Sequence, residues 1–222
     1  MPRNDPSVHG LSFSSKYIPM VEVGGDYYDY AIYPDDRVGI FIADVSGHGV
    51  SAAMIGAMLK LIFSNKATSM EPAEFLSYCN EKLFNNIAAQ FITASYSVIS
   101  SDRRTLKIAY AGHPPARLIR NGQIQQLGKK GKPLGILESI KYEEEIYNLQ
   151  SDDLLFFLTD GLIEITDSEF NTWDEDALDS ELLRNQNLPV SEILDEVIRS
   201  SLEFRGKELS SDDITLIGMK VL

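Results

Sequence analysis

Apolar residues change their spacing several times along the chain, and each change marks a different element. Residues 11–18, 27–33 and 38–43 are short runs rich in β-branched and aromatic side chains and read as strands. The second and third are joined by Pro34-Asp35-Asp36, a turn sequence because proline presets φ and aspartate bonds back to its own backbone. This predicts a hairpin with Asp26 and Asp44 near its ends. From residue 49 to 67 the spacing becomes helical, with Ala53, Ile55, Met58, Leu59, Ile62 and Phe63 forming a broad apolar face. A second helix is expected from Pro72 to about residue 89. Proline suits the first helical turn, and Phe75, Leu76, Cys79, Leu83, Phe84 and Ile87 recur at helical spacing. Gly56 and Ala57 are small enough to let the two helices approach closely.

Beyond this pair the spacing returns to that of strands at residues 93–99, 105–111, 116–119, 142–149 and 154–159, with turns short enough to imply antiparallel pairing. Helical patterns follow at 175–185 and 190–204, and 214–221 closes the chain as a strand. Runs of strands separated by helix pairs predict an α+β fold, a four-layer α-β-β-α sandwich of two mainly antiparallel sheets flanked by helix pairs. No long repeat, low-complexity tract or extended linker interrupts the pattern, so one domain over residues 1–222 is expected.

Composition narrows the partners. The formal net charge is -13, with 20 Lys and Arg against 33 Asp and Glu, which argues against a nucleic-acid partner, whose phosphates call for clustered cations. The longest apolar stretch, residues 52–58, stops at Lys60 and falls far short of the ~20 residues that span a bilayer, so no membrane insertion is expected. A single cysteine, Cys79, rules out an intramolecular disulfide framework. Without a basic-then-apolar leader either, the expected location is cytoplasmic, as a free domain or as the cytoplasmic part of a larger protein.

Four apolar runs are bounded by aspartate, at Gly24-Gly25-Asp26, Ile42-Ala43-Asp44, Leu158-Thr159-Asp160-Gly161 and Asp212-Asp213-Ile214. A lone aspartate at a strand end is usually a turn or cap residue. Several that converge are another matter, because buried carboxylates must be neutralised by metal ions or ordered water.

The motifs extend well beyond the aspartates. Gly24-Gly25-Asp26-Tyr27-Tyr28-Asp29, Ile42-Ala43-Asp44-Val45-Ser46-Gly47-His48-Gly49-Val50-Ser51-Ala52-Ala53, Ala111-Gly112-His113-Pro114-Pro115, Pro133-Leu134-Gly135-Ile136, Thr159-Asp160-Gly161-Leu162 and Asp212-Asp213-Ile214-Thr215 occur in this order across almost the whole chain. Each alone is weak, but the ordered set of six resembles the bacterial SpoIIE/RsbU-like branch of the PPM phosphatases, relatives of protein phosphatase 2C. The resemblance implies a metal-dependent phosphatase that hydrolyses phosphoserine or phosphothreonine on a protein. Two Mn²⁺ or Mg²⁺ ions, roughly 3.5–4 Å apart in such two-metal sites, would activate a bridging water for attack on phosphorus. No protein nucleophile is needed, consistent with an unremarkable Cys79.

Carried over by resemblance, Asp44 bridges both ions, Val45 adds its main-chain carbonyl, and Asp26 ligates one ion largely through water. Asp160 and Asp212 complete the other side, and Asp44 and Asp160 carry the catalysis. Asp213 is either a support for these ligands or the ligand itself, if the register differs by one. Gly47 and Gly161 let the backbone turn tightly beside the ions. His48 lies near enough to contact substrate, but the role of general acid could equally fall to a metal-bound water. His113, ahead of Pro114-Pro115, reads as a hydrogen-bonded turn residue, and Asp29 as structural.

The better known eukaryotic relatives clamp phosphate with an arginine upstream of the Gly-Gly-Asp motif, and here there is none to trust. Lys16 is the cation left for phosphate, its other reading being a solvated edge lysine, and phosphate binding then rests mainly on the metals.

The implied substrate is a phosphorylated STAS-domain protein, an anti-sigma-factor antagonist in a partner-switching pathway. An N-terminal sensor or regulatory domain and a homodimer are the other implied partners. The helix pair from 49 to 89 is a natural switch, because its first turn follows the Asp44 loop. Two rivals remain. Gly24-Gly25-Asp26 also resembles the metal turn of diguanylate cyclases, but Tyr-Tyr follows it and the other five motifs have no place there. The second is a catalytically silent phosphoprotein-binding domain, which metal affinity with phosphate release would separate from an enzyme.

Overall fold

Three layers of apolar side chains hold four layers of backbone together, and the alternation within single strands produces them. A computed structural model of the chain describes residues 1–87, 90–128, 131–207 and 212–222. In chain order the elements are β1 (Leu11–Ile18), β2 (Tyr27–Ile32), β3 (Val38–Val45), α1 (Val50–Lys66), α2 (Pro72–Leu83), β4 (Ile92–Ile99), β5 (Thr105–Ala111), β6 (Ala116–Arg120) and β7 (Gln123–Leu127). They continue as β8 (Glu144–Asn148), β9 (Leu154–Leu158), β10 (Ile165–Thr166), β11 (Thr172–Trp173), α3 (Glu175–Asn185), α4 (Val190–Arg205) and β12 (Ile214–Val221).

One sheet runs β1-β12-β9-β6-β7 and the other β2-β3-β4-β5-β8, every pairing antiparallel, while β10 and β11 form a separate small hairpin. In β3, Val38, Ile40 and Ile42 face the opposite sheet, whereas Phe41, Ala43 and Val45 face α1 and α2. In β9, Leu155 and Phe157 face inward, and Leu154, Phe156 and Leu158 pack toward α3 and α4. A strand covered on both faces needs apolar side chains at every position, hence the unbroken Leu-Leu-Phe-Phe-Leu of β9. Phe41, Phe63, Phe75 and Tyr96 lock the second sheet to its helices, with ring centroids 4.8–6.1 Å apart. This is the α-β-β-α sandwich that the sequence predicts.

Several boundaries differ from expectation. β7 was not predicted, since Gln-Ile-Gln-Gln-Leu alternates poorly. Among the described residues it is an edge strand paired only with β6, through a turn at Asn121-Gly122 in which both residues have positive φ, 51° and 73°. β8 is shorter than predicted, because pairing with β5 begins at Ala109 opposite Glu144. α2 ends at Leu83, and the expected end at residue 89 lies outside the described residues, although Ile87 still packs with the α1 and α2 core. β10 and β11, two residues each, are too short to leave a periodic signal. Among the described residues no helix is long and apolar enough to cross a membrane.

α1 is apolar on two sides. Ala52, Ile55, Leu59 and Phe63 are buried, while Val50, Met54 and Leu61 are 73%, 66% and 66% exposed.

Candidate metal centre

The register brings the four aspartate runs to one edge of the sandwich. In the first sheet β1 ends at Ile18 opposite Ile214, the start of β12, and Leu216 of β12 pairs with Leu158, the end of β9. In the second sheet Tyr27, the start of β2, faces Ala43, and Val45, the end of β3, faces Ile92, the start of β4. Asp26 leads into β2, Asp44 is the penultimate residue of β3 opposite Thr93, Asp160 opens a single 3₁₀ turn after β9, and Asp212 precedes β12. Antiparallel strands must alternate their ends, so only this register collects all four.

Asp26 is nearly fully buried, and its Oδ2 accepts hydrogen bonds from Thr159 Oγ1 at 2.8 Å and Thr215 Oγ1 at 2.6 Å. Asp213 is equally buried, with both carboxylate oxygens taken by backbone amides. Oδ1 accepts from Met20 N at 2.7 Å, and Oδ2 from Gly25 N at 2.6 Å and Asp26 N at 3.3 Å. The Gly-Gly pair allows this close approach. A Cβ on Gly24 would lie 2.0 Å from Asp213 Oδ2, and one on Gly25 would lie 2.7 Å from the Val45 carbonyl oxygen. Gly161 has the same role across the cleft, where a Cβ would meet the Asp213 carbonyl at 2.0 Å.

The electrostatics are those of like charges gathered without relief. Burial, reinforced by Asp160, Asp212, Asp213 and Glu164, lifts the Asp44 carboxyl to about 7. Burial and the Asp44 charge hold Asp26 well above the ordinary carboxylate range, against the pull of the two threonine hydroxyls. Asp160 is raised by burial and then by Glu164, and Asp212 by burial and then by Asp160 and Asp213. Each shift reflects the cost of a desolvated or crowded negative charge, which a cation would remove.

Among the described residues, no three His, Cys, Asp or Glu side chains stand close enough together to hold an ion as they are. The donor set does fit a metal in its chemistry. It offers hard oxygens only, from four carboxylates and the Val45 carbonyl, as Mg²⁺ and Mn²⁺ prefer.

His48 is exposed at the rim, close enough to Asp212 for its charge to favour the ionised carboxylate. Lys16 points elsewhere, its Nζ pairing with Asp195 of α4 at 2.5 Å. His113 is buried, with Nδ1 2.8 Å from the hydroxyl of Thr93, the residue opposite Asp44. Among the described residues its Nε2 has no partner in good hydrogen-bond geometry, although the Leu158 backbone lies close enough to favour protonation. Burial dominates and draws the imidazole down to about 3, so the ring is neutral at physiological pH. Asp29 accepts from the Tyr27 hydroxyl at 2.7 Å and pairs with Lys60 at 3.0 Å.

Sequence reasoning missed Thr159, Thr215 and Glu164. The threonines sit inside quoted motifs, directly before Asp160 and two residues after Asp213, and that adjacency was the available signal.

The chain is similar in sequence and backbone to several known proteins. The Stage II sporulation protein E (SpoIIE) family matches residues 34–222. Phosphoserine phosphatase RsbU of Bacillus subtilis (strain 168) is 26% identical over 219 residues, covering 97% of this chain and 64% of its own length. Phosphoserine phosphatase RsbP of the same organism is 27% identical over 210 residues, covering 91% of this chain and 50% of its own. The chain therefore spans between half and two thirds of these relatives. In backbone it is similar to the RsbU and RsbW domains of Rv1364c from Mycobacterium tuberculosis, with a TM-score of 0.84, 22% identity, and coverage of 97% of this chain and 61% of that one. It is also similar to RsbX in complex with magnesium, with a TM-score of 0.74, 19% identity, and 98% of each chain covered. The motif order, the two-sheet sandwich and a match reaching from residue 34 to the last residue lead to one conclusion: the chain belongs to the Stage II sporulation protein E (SpoIIE) family.

Proposed function

We propose that this domain is a metal-dependent protein phosphatase acting on phosphoserine or phosphothreonine. The observation that carries the reading is the convergence of Asp26, Asp44, Asp160 and Asp212 at one edge of the sandwich, with all four carboxyls held above their ordinary range. Two Mn²⁺ or Mg²⁺ ions bound there would supply a water of lowered pKa and neutralise charge on the phosphoryl oxygens. Asp44 is central. It feels Asp160 and Asp212, and Asp26 in turn feels Asp44, which supports a reading in which its carboxylate would serve both ions. In this reading Asp26 and the Val45 carbonyl would hold one ion, and Asp160 and Asp212 would complete the other side. Cys79 is fully buried and its thiol is pushed up by desolvation, so it is no nucleophile. His48 is free at the rim to meet the phosphoprotein, whereas Lys16 would first have to leave Asp195.

The substrate in this reading is a Ser- or Thr-phosphorylated STAS-domain protein of a partner-switching pathway, in keeping with the phosphoserine phosphatases RsbU and RsbP that the chain resembles. The test is Mn²⁺-dependent phosphate release from a Ser-phosphorylated STAS-domain protein by the wild type and Asp160→Asn. Release by the wild type that falls about 100-fold or more in the variant is the expected result. Release that ignores the substitution would overturn the mechanism. No release and no metal binding would identify a binding-only domain instead.

The regulatory domain in this reading has a surface to act on. Val50, Met54 and Leu61 lie on the outer side of α1, and the first turn of that helix is tied to the Asp44 loop. Ser51 Oγ donates to Gln90 Oε1 at 2.9 Å, and Gln90 Nε2 donates to the Ser46 carbonyl at 2.9 Å. A regulator seated on this stripe would shift α1 and, through Gln90, the loop that follows Asp44 and Val45. Leu61→Glu is expected to abolish activation by a fused regulatory domain while leaving basal release intact. Activation that survives the substitution would remove the stripe from this role. Loss of a dimer on sedimentation of the isolated domain would assign the stripe to a second copy of the chain.

A further inference from the structure

The Asp26 carboxylate is held across the two sheets by hydroxyls from strands that contribute other residues of the site. Thr159 ends the segment after β9, immediately before Asp160, and Thr215 is the second residue of β12, just after Asp212 and Asp213. Both are completely buried in the first sheet, and Asp26 leads into β2 of the second. Their hydroxyls reach the same atom, Asp26 Oδ2, at 2.8 and 2.6 Å.

The direction of the Thr159 bond is settled by the backbone. Thr159 Oγ1 accepts the Thr215 amide at 2.9 Å, so its one proton is left for Asp26. The two residues are also joined by the Thr159 amide donating to the Thr215 carbonyl at 3.1 Å. Each hydroxyl carries a single proton, and a carboxylate oxygen has two lone pairs in its plane, so Oδ2 is saturated by these two donors. Oδ1 remains as the oxygen that Asp26 offers to the cleft. Rotation about its terminal torsion would break two buried hydrogen bonds and leave two hydroxyls without an acceptor.

From this we infer that Thr159 and Thr215 are positioning residues, which fix the orientation of Asp26 so that it presents Oδ1 alone to a divalent ion or its water shell. The inference rests on the metal reading above. It adds that the affinity of one ion is set by hydroxyls that touch neither the ion nor the substrate. It also makes docking of the two sheets at this edge a condition of ion loading, since ligand and supports come from opposite sheets. Groups that orient metal ligands typically change affinity 10–100-fold when removed.

Thr215→Val is the cleaner variant, because among the described residues the Thr215 hydroxyl serves only Asp26, whereas Thr159→Val would also strip the Thr215 amide of its acceptor. Valine keeps the branched shape and the β preference, and Thr215→Ser keeps the hydroxyl. The experiment is Mn²⁺ titration of the whole chain, by calorimetry and by electron paramagnetic resonance of free Mn²⁺. Wild type, Thr215→Val and Thr215→Ser are compared after circular dichroism has established that each is folded. The expected result is two binding events in the wild type, one of them weakened about 10–100-fold in Thr215→Val and restored to within a few-fold by Thr215→Ser. Unchanged affinity in Thr215→Val, even with a lower Tm, would overturn the inference and leave the threonines a purely structural role. Weakening that Thr215→Ser shares would overturn it too, by assigning the effect to packing. A wild type that binds no Mn²⁺ would overturn the metal reading itself, and the inference with it.

Discussion

Asp44→Asn is expected to abolish Mn²⁺-dependent phosphate release and yet to raise the melting temperature of the metal-free protein near neutral pH. The first effect follows from its central place among the carboxylates. The second follows from linkage. Its carboxyl titrates at about 7 in the folded chain, mainly through burial and then through the charges of Asp160, Asp212, Asp213 and Glu164, against about 3.9 in an unfolded chain. A group whose pKa is raised by folding binds its proton more tightly in the native state. Its contribution is therefore full below about pH 4 and is lost as pH rises through 7.

Three units correspond to at most about 4 kcal/mol at neutral pH, and solvent access at the rim reduces this to roughly 2 kcal/mol. Asparagine has nothing to ionise, so the variant escapes that loss. For a domain of this size the gain is about 4–8 °C in Tm. His113 acts in the opposite sense. Held neutral down to about 3, it makes the fold less stable as pH falls below about 6.5, but it does so in both proteins and cancels in the comparison. Thermal melts in EDTA from pH 5 to 8 should show wild type and variant diverging as pH rises, and Mn²⁺ should stabilise the wild type far more. A variant less stable than wild type in EDTA at pH 7.5 would refute this account of the site's electrostatics.

Asp212 and Asp213 should separate cleanly despite being neighbours. Asp213→Ala removes the acceptor of the Met20, Gly25 and Asp26 amides, two of them at buried contacts. Each buried amide left unsatisfied costs about 1–3 kcal/mol, so a loss of about 3 kcal/mol is expected, together with a fall of about 100-fold in phosphate release as the Gly-Gly-Asp loop loses its anchor. Asp212→Ala should abolish release with little change in stability, because losing the acceptor of the Asp213 amide at 2.8 Å is offset by relief of a carboxyl that burial and the charges of Asp160 and Asp213 hold above the ordinary range. Denaturant melts beside release assays decide between them. If Asp213→Ala kept full stability and lost only metal affinity, Asp213 would be the ligand and the loop-anchor role would be wrong.

Much of this protein is legible in one dimension. The unbroken apolar run of β9 and the alternating sides of β3 follow from strands buried on both faces, and such patterns are written residue by residue. The helices show because their apolar residues recur at the period of one backbone turn. Asp26, Asp44, Asp160 and Asp212 stand out because each lies at one end of an apolar run, where charge is unexpected.

What stayed hidden depends on contacts between distant residues. β7 is an edge strand that buries little, so it needs little pattern. Lys16 has the charge to bind phosphate, but α4 brings Asp195 to it from far along the chain. Asp212 and Asp213 are chemically identical in sequence, and only the path of residues 20–26 beside Asp213 gives them different partners. The two threonines on Asp26 lie 133 and 189 residues from it and meet it only because the sheets dock face to face. Local periodicity is dictated by backbone geometry and burial, so the sequence by itself determined the elements, the family motifs and the carboxylate ends. Which oxygen faces the cleft, and what holds it there, is set by hydrogen bonds between elements, so only the tertiary structure could decide it.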